Sequence, residues 1–148
     1  MRIAVIDGQG GGIGRTMIEK LREALNEDVE ILALGTNAVA TAAMLKAGAH
    51  EGASGENAII ANAPKVDIIM GCIGILAAGS MRGEITSGIA ASISTSDASK
   101  VLIPLGKCRI HVAGVVGKPL PYYMDHAVSV IKKMAASGKF GHSGCTAD

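Results

Sequence analysis

The residues with the clearest chemical potential lie near the start of the chain, where five glycines fall within seven positions. A short apolar run over residues 3–6 stops at Asp7, and a helical pattern follows the glycines. A strand, a glycine turn and a helix in this order let backbone N–H groups approach a phosphate closely. We therefore predict a nucleotide or phosphate site made by Asp7, Gly8, Gln9, Gly10, Gly11, Gly12, Ile13 and Gly14.

The spacing of these glycines separates the known kinds of phosphate-binding loop. The pattern G-x-G-x-x-G fails because it needs glycine where Ile13 or Arg15 stands, and no Lys-Ser/Thr pair follows as in a P-loop. The looser spacing of Gly8, Gly12 and Gly14 resembles the cofactor loop of the short-chain dehydrogenases. That resemblance implies NAD or NADP as cofactor, with the middle glycine admitting the pyrophosphate and the last one packing the helix on the strand. Another adenine nucleotide is also compatible with the loop.

Two further turns follow predicted strands and supply candidate cofactor contacts. The turn at residues 71–74 stands where the short-chain dehydrogenases have Asn-Asn-Ala-Gly beside the cofactor, although only its last glycine matches. The turn at residues 35–37 can touch an adenosine ribose, or its Thr or Asn can cap the next helix. These candidates are Gly35, Thr36, Asn37, Gly71, Cys72 and Gly74.

The resemblance to the dehydrogenases stops at their catalytic residues. The Tyr-x-x-x-Lys pair is absent, since His126 stands four residues after Tyr122 and Ala127 four after Tyr123. The second strand ends without an acid for the ribose hydroxyls and without an arginine for a 2′-phosphate. We therefore expect no short-chain dehydrogenase activity, and the catalytic residues, if there are any, stay unknown.

A second resemblance covers nearly the whole chain. Residues 7–14 read Asp-Gly-Gln-Gly-Gly-Gly-Ile-Gly, residues 33–37 read Ala-Leu-Gly-Thr-Asn, and residues 55–58 read Gly-Glu-Asn-Ala. The chain is similar in these segments to a group of small, uncharacterised bacterial proteins. Membership of that group implies no particular activity, so whether the chain is an enzyme stays open.

Several polar residues allow two interpretations. Asp7 can hold a ribose or a metal-bound water, or it can bond the backbone of its own turn. Cys72 follows a strand at the edge where parallel sheets bind ligands, but without a base nearby we interpret it as a buried structural cysteine. Arg82, Glu84 and Thr86 either form a lid over the cofactor or belong to a solvated loop.

Composition limits the remaining function classes. A hydrophobic fraction of 49% with 2% aromatics predicts a folded domain with an aliphatic core, and a net charge of +1 argues against a nucleic-acid partner. Scattered cysteines and histidines, including the pair His142 and Cys145, indicate neither a disulfide framework nor a metal site. Without a targeting segment or a spanning stretch, we expect a cytoplasmic protein with no membrane contact. The low charged fraction of 18% and the apolar last helix favour a homo-oligomer, such as a dimer.

Apolar runs that alternate with helical patterns predict one Rossmann-like, three-layer α/β domain over residues 1–138, with a flexible tail at 139–148. Strands are predicted at 3–6, 29–34, 49–51, 66–70 and 101–103, in the order 3-2-1-4-5, with an added strand at 109–116. His111 in that added strand is interpreted as a packed core or interface residue. Ser54 is predicted to cap a helix at 56–63.

Two functions follow from these observations. The first is a protein that binds NAD(P) or another nucleotide through the glycine turn, where the first and fourth strands diverge. The second is a non-catalytic oligomeric or regulatory module in which the glycine turn is only structural.

Overall fold

The computed structural model describes residues 1–105 and 108–140 and confirms the Rossmann-like, three-layer α/β fold. In these residues one parallel sheet has the strand order β3-β2-β1-β4-β5, as the sequence predicts. The strands are β1 (Arg2–Asp7), β2 (Glu30–Gly35), β3 (Glu51–Ser54), β4 (Ile68–Cys72) and β5 (Ser99–Ile103). The helices are α1 (Gly12–Ala24), α2 (Ala38–Lys46), α3 (Glu56–Asn62), α4 (Ser87–Thr95) and α5 (Leu120–Ser137). None of these helices is both long and apolar enough to cross a bilayer.

Helices cover both faces of the sheet, which explains why the strands are apolar without alternation. Ile3 and Val5 of β1 belong to the core cluster that contains α1 and α5, while Ala4 and Ile6 belong to the cluster that contains α3 and α4. The aliphatic side chains that fill the two layers are fully buried: Met17, Ile18, Leu21 and Ile131 in the first, and Ile59, Ile85, Ile89 and Ile93 in the second. The site therefore stands on a rigid scaffold.

The added strand predicted at residues 109–116 is wrong. Pro104 ends the region of β5, and residues 109–119 are exposed and carry no strand. Strand preference in β-branched residues expresses packing on a pleated, half-buried surface, and this segment packs on no neighbouring strand. His111 is exposed, so its interpretation as a core residue is also wrong. The apolar side chains left partly open here are Ile110, Val112, Val115 and Val116.

Two shorter predictions also need correction. The third strand covers Glu51–Ser54 rather than residues 49–51, and the fourth runs two residues further than predicted, through Cys72. Ser54 does not cap α3, because its hydroxyl donates to Thr41 Oγ1 at 2.7 Å and the N-cap position belongs to Gly55.

The last helix packs on its own sheet. Met124, Val128 and Ile131 form an apolar stripe along this helix, and all three are buried in the core that α5 shares with α1. This stripe is therefore core and offers no dimer surface. His142 and Cys145, like the rest of the predicted tail from residue 141 onward, lie outside the described residues.

Candidate functional site

The glycine turn, defined as residues 8–14, joins the end of β1 to the start of α1 and combines two kinds of glycine. Gly8, Gly11 and Gly14 are buried, and a Cβ on Gly14 would lie 2.6 Å from Met44 Sδ. Gly10 and Gly12 are exposed, and a Cβ on either would meet nothing within 4 Å. The buried glycines thus permit close packing, whereas the exposed ones leave open space beside the backbone.

The Asp7 carboxylate lies on the inner side of this turn and bonds both of its ends. Its Oδ1 accepts a hydrogen bond from the Gly8 N–H at 2.8 Å, and its Oδ2 accepts one from the Gly14 N–H at 2.7 Å. Burial raises the pKa of this carboxyl, the bonds from Gly14 and Gly8 oppose that rise, and the negative charge of Glu84 adds to it. Of its two interpretations, Asp7 therefore fulfils the second, in which it bonds the backbone of its own turn.

On the outer side of the turn, away from Asp7, three backbone N–H groups lack an acceptor in the described chain. Within residues 1–105 and 108–140, the N–H groups of Gly10, Gly12 and Ile13 have no acceptor. Gly11, the N-cap of α1, has a φ of 71° and no side chain, so the N-cap residue itself accepts no bond from the first turn, and of that turn only the Gly14 N–H is bonded by a side chain of the described residues, that of Asp7. The first turn of α1 also contains no acidic residue. Open donors at the positive end of a 13-residue helix form an arrangement that favours an anion.

A strap, defined as residues 77–85, crosses from the end of β4 to the glycine turn. Ile85 anchors it in the core, and the Ser80 hydroxyl donates to the carbonyl of Gly74. Glu84 reaches the turn itself, because its Oε2 accepts from the Gln9 N–H at 2.7 Å. Glu84 is thus bonded to the glycine turn, which leaves the lid interpretation a prediction, while Thr86 caps α4 by accepting from the Ile89 N–H at 3.1 Å.

A pocket of about 240 Å³ lies between the carboxyl ends of β1 and β4 and the strap. This is the switch point of the parallel sheet, where chains of this architecture bind their ligands. Ligand pockets usually hold about 300–1,000 Å³, so this one suits part of a nucleotide better than a whole dinucleotide. Its lining residues are Asp7 from β1, Gln9 and Ile13 from the glycine turn, Cys72 from β4, Gly74 just after β4, Ser80, Met81 and Arg82 from the strap, and Cys108.

Backbone strain is concentrated at the same pocket. Among the described residues, Gln9, Met81 and Arg82 are the non-glycine residues with positive φ, at 51°, 52° and 56°. All three line the pocket. A non-glycine residue held in the left-handed region costs about 1–3 kcal/mol, and such residues cluster at binding and catalytic sites.

Cys72 sits in this pocket as an unreactive thiol. It is 5% exposed, and burial raises the pKa of its thiol to about 12, with smaller contributions from the nearby Asp7 and Cys108. Because the thiolate is the nucleophile of cysteine chemistry, this side chain is protonated at neutral pH and packs as a small apolar group.

The predicted site residues other than the glycines of the turn fall into two groups on either side of it, except Gly71, which lies within β4 and does not line the pocket. Asp7, Gln9, Ile13, Cys72 and Gly74 share the pocket. Gly35, Thr36 and Asn37 lie at the end of β2, where Asn37 caps α2 by accepting from the Ala40 N–H at 2.9 Å. Sequence reasoning missed Ser80, Met81 and Cys108 as pocket residues; only the glycines at 79 and 83 hinted at a special backbone there.

The described residues contain no group of three or more His, Cys, Asp or Glu side chains that could hold a metal ion. A family model described as a domain of unknown function, DUF3842, matches residues 2–136. No curated protein matches the sequence. Among solved structures, a dodecameric FMN-dependent Ubix-like decarboxylase from Escherichia coli O157:H7 is similar at 12% identity, over 99% of this chain and 100% of that chain, with a TM-score of 0.41. A likeness this distant carries no statement about ligand or activity.

Proposed function

We propose that this chain, which belongs to the DUF3842 family of domains of unknown function, binds a nucleotide with its phosphate on the glycine turn. The observation that carries the proposal is that all the left-handed non-glycine residues of the described chain, Gln9, Met81 and Arg82, line one pocket at the switch point of the sheet. Strain of this kind is maintained where a fold serves a ligand.

The phosphate is placed by the open donors of α1. The N–H groups of Gly12 and Ile13 stand at the helix start, and Gly12 leaves free space on the solvent side. Asp7 repels an anion on the inner side of the turn, so the phosphate binds on the outer side, with Arg82 as the nearest cation lining the pocket. Arg82 forms no ion pair with the described part of the chain, so its charge is available to a ligand.

The volume of the pocket limits how much of a nucleotide can bind inside it. With about 240 Å³, it accepts only part of a nucleotide while the strap is in place, and the ribose lies outside it, beside the turn at the end of β2. NAD, NADP or another dinucleotide extends beyond the pocket, over the turn at the end of β2. Both a ligand-binding protein and a small enzyme are compatible with this arrangement.

A thermal-shift panel of AMP, ATP, GTP, FMN, FAD, NAD, NADP and S-adenosylmethionine tests the proposal. A ligand at 100 times its Kd stabilises the folded chain by about 2.7 kcal/mol, which raises the Tm of a domain of this size by roughly 5–10 °C. Gly12→Val fills the open space at the helix start and should abolish the shift while the protein stays folded. Gly117→Val is the matched control, because Gly117 is equally open and does not line the pocket.

One specific observation favours the second candidate, an oligomeric module whose glycine turn is structural. Ile110, Val112, Val115, Val116 and Tyr122 are apolar side chains between 41% and 67% exposed, in the segment that follows β5 and at the start of α5. The same panel separates the two candidates. If no nucleotide at millimolar concentration moves the Tm of the wild-type protein, the nucleotide proposal is refuted and the oligomeric module becomes the better account.

A further inference from the structure

The carboxylate of Glu84 occupies a defined place between the two turns that follow β1 and β2. Its Oε2 accepts from the Gln9 N–H at 2.7 Å, and its Oε1 accepts from Asn37 Nδ2 at 2.6 Å. A Cβ on Gly8 would lie 3.1 Å from Oε2, so the carboxylate is also packed against the first glycine of the turn. Glu84 thus reaches the end of β2 from a strap that follows β4.

The Gln9 N–H and the Asn37 side-chain amide are already used as donors on this side of the turn. Asn37 Nδ2 also donates to the Gln9 carbonyl at 2.9 Å, and Asn37 Oδ1 caps α2. None of the residues hydrogen-bonded to Gln9, Asn37 or Glu84 in the described chain is a lysine or arginine. A carboxylate has about four acceptor positions, so Glu84 keeps acceptor capacity beyond these two bonds. The β2 side of the glycine turn is therefore negatively charged and accepts hydrogen bonds.

The Thr36 hydroxyl adds a second observation at the same place. Its oxygen is buried without a hydrogen-bond partner in the described chain, and a Cβ on Gly8 would lie 2.6 Å from it. Thr36, Glu84 and Gly8 thus converge where parallel nucleotide-binding sheets hold the ribose. In such sheets an acid accepts from the ribose 2′-hydroxyl, whereas an arginine accommodates a 2′-phosphate.

We propose that Glu84 is a specificity-determining residue, which selects a nucleotide whose ribose beside the glycine turn has free hydroxyls and rejects one with a 2′-phosphate. The inference rests on the proposed nucleotide site. A ribose hydroxyl donates to the carboxylate in a charge-assisted bond, whereas a 2′-phosphate meets a like charge, and no lysine or arginine of the described chain is hydrogen-bonded to Glu84. The acid that the end of β2 lacks in the sequence is supplied by the strap.

Isothermal titration with 5′-AMP and adenosine 2′,5′-bisphosphate tests this selection, because the two probes differ only in the 2′-phosphate. The wild-type protein should bind AMP at least roughly tenfold more tightly than the bisphosphate. In Glu84→Gln the preference should fall to about threefold or less, because the bisphosphate gains affinity while AMP loses some. Glu27→Gln is the matched control, since it removes the same charge from a side chain that is 88% exposed and, among the described residues, pairs with Arg22 alone.

Each alternative result has a definite meaning. Equal affinities in the wild-type protein, or an unchanged preference in Glu84→Gln, would overturn the selection by Glu84, and the wild-type comparison decides even if the variant misfolds. If neither adenosine probe binds while FMN or GTP gives a shift that Gly12→Val abolishes, the nucleotide site stands and this inference is overturned. If no nucleotide binds, both are overturned.

Discussion

Two strand-to-helix turns stand side by side at the carboxyl edge of the sheet, and their helices begin in different ways. After β2, Asn37 caps α2 by accepting from the Ala40 N–H at 2.9 Å. After β1, the cap is a glycine without a side chain, and the N–H groups of Gly12 and Ile13 have no acceptor in residues 1–105 and 108–140. The same edge of one sheet thus carries a helix start that its N-cap side chain bonds, that of α2, and a helix start whose first two N–H groups are unbonded in the described chain, that of α1.

The difference shows how the acids of the glycine turn are distributed. The α3 helix also lacks a side-chain cap, but it has Glu56 in its first turn, where a negative charge offsets the helix dipole. The α1 helix has no acid in its first turn. Its acids come from outside, with Asp7 beneath the turn and Glu84 on the β2 side. They fix the flanks of the turn and leave its outer face available to an anion.

The largest effect is expected when the inner support of the open turn is removed. Asp7→Ala leaves the N–H groups of Gly8 and Gly14 buried without their acceptor. Each unsatisfied buried donor costs about 1–3 kcal/mol, so we expect the free energy of unfolding to fall by about 2–4 kcal/mol. Urea unfolding with linear extrapolation measures the loss.

The control for this variant is Asp97→Ala, which removes an exposed carboxylate and should change the free energy of unfolding by less than about 0.5 kcal/mol. If Asp7→Ala is no less stable than this control, Asp7 does not hold the turn together. The glycine turn would then be supported by its close packing alone, and the contrast between its flanks and its outer face would be lost.

A smaller effect should separate the packed glycines of the turn from the open ones. A Cβ on Gly14 would lie 2.6 Å from Met44 Sδ and 2.8 Å from Asp7 Cβ, so Gly14→Ala overpacks the helix against the strand and should cost about 1–3 kcal/mol. Gly12→Ala meets nothing within 4 Å and should be neutral or stabilise the helix by up to about 0.5 kcal/mol. Similar unfolding midpoints for the two variants would contradict the division of the turn into packed and open positions.

Much of the fold could be predicted because the apolar run of a buried strand is visible in a few consecutive residues of the sequence. Runs such as residues 3–6 and 68–70 are apolar without alternation, as is typical of strands covered on both faces by helices. The segment 109–116 has the same β-branched composition, yet it forms no strand, since its position depends on Pro104 and on what it packs against. Composition alone does not include that tertiary information.

The candidate site was only partly predictable, for a related reason. Gly8, Gly12 and Gly14 have a spacing that a turn requires, so a local pattern was enough to find them. Glu84 lies 75 residues from Gln9 along the chain, and the two meet only because the strap folds back across the glycine turn. A left-handed backbone at Met81 and Arg82 is likewise imposed by tertiary contacts, because these residue types do not favour it.

The smallest expected effect tests whether the turn after β2 is energetically independent of the turn after β1. Asn37→Ala removes the cap of α2 together with the Nδ2 bonds to Gln9 and Glu84, and should cost about 1 kcal/mol. Asn37→Ser keeps an oxygen that can cap the helix but lacks the amide donors, so it should recover at least half of the loss in urea unfolding. If serine recovers nothing, the bonds to the neighbouring turn carry the stability. The two turns would then be one energetic unit, and a ligand that displaced Glu84 would weaken the start of α2 as well.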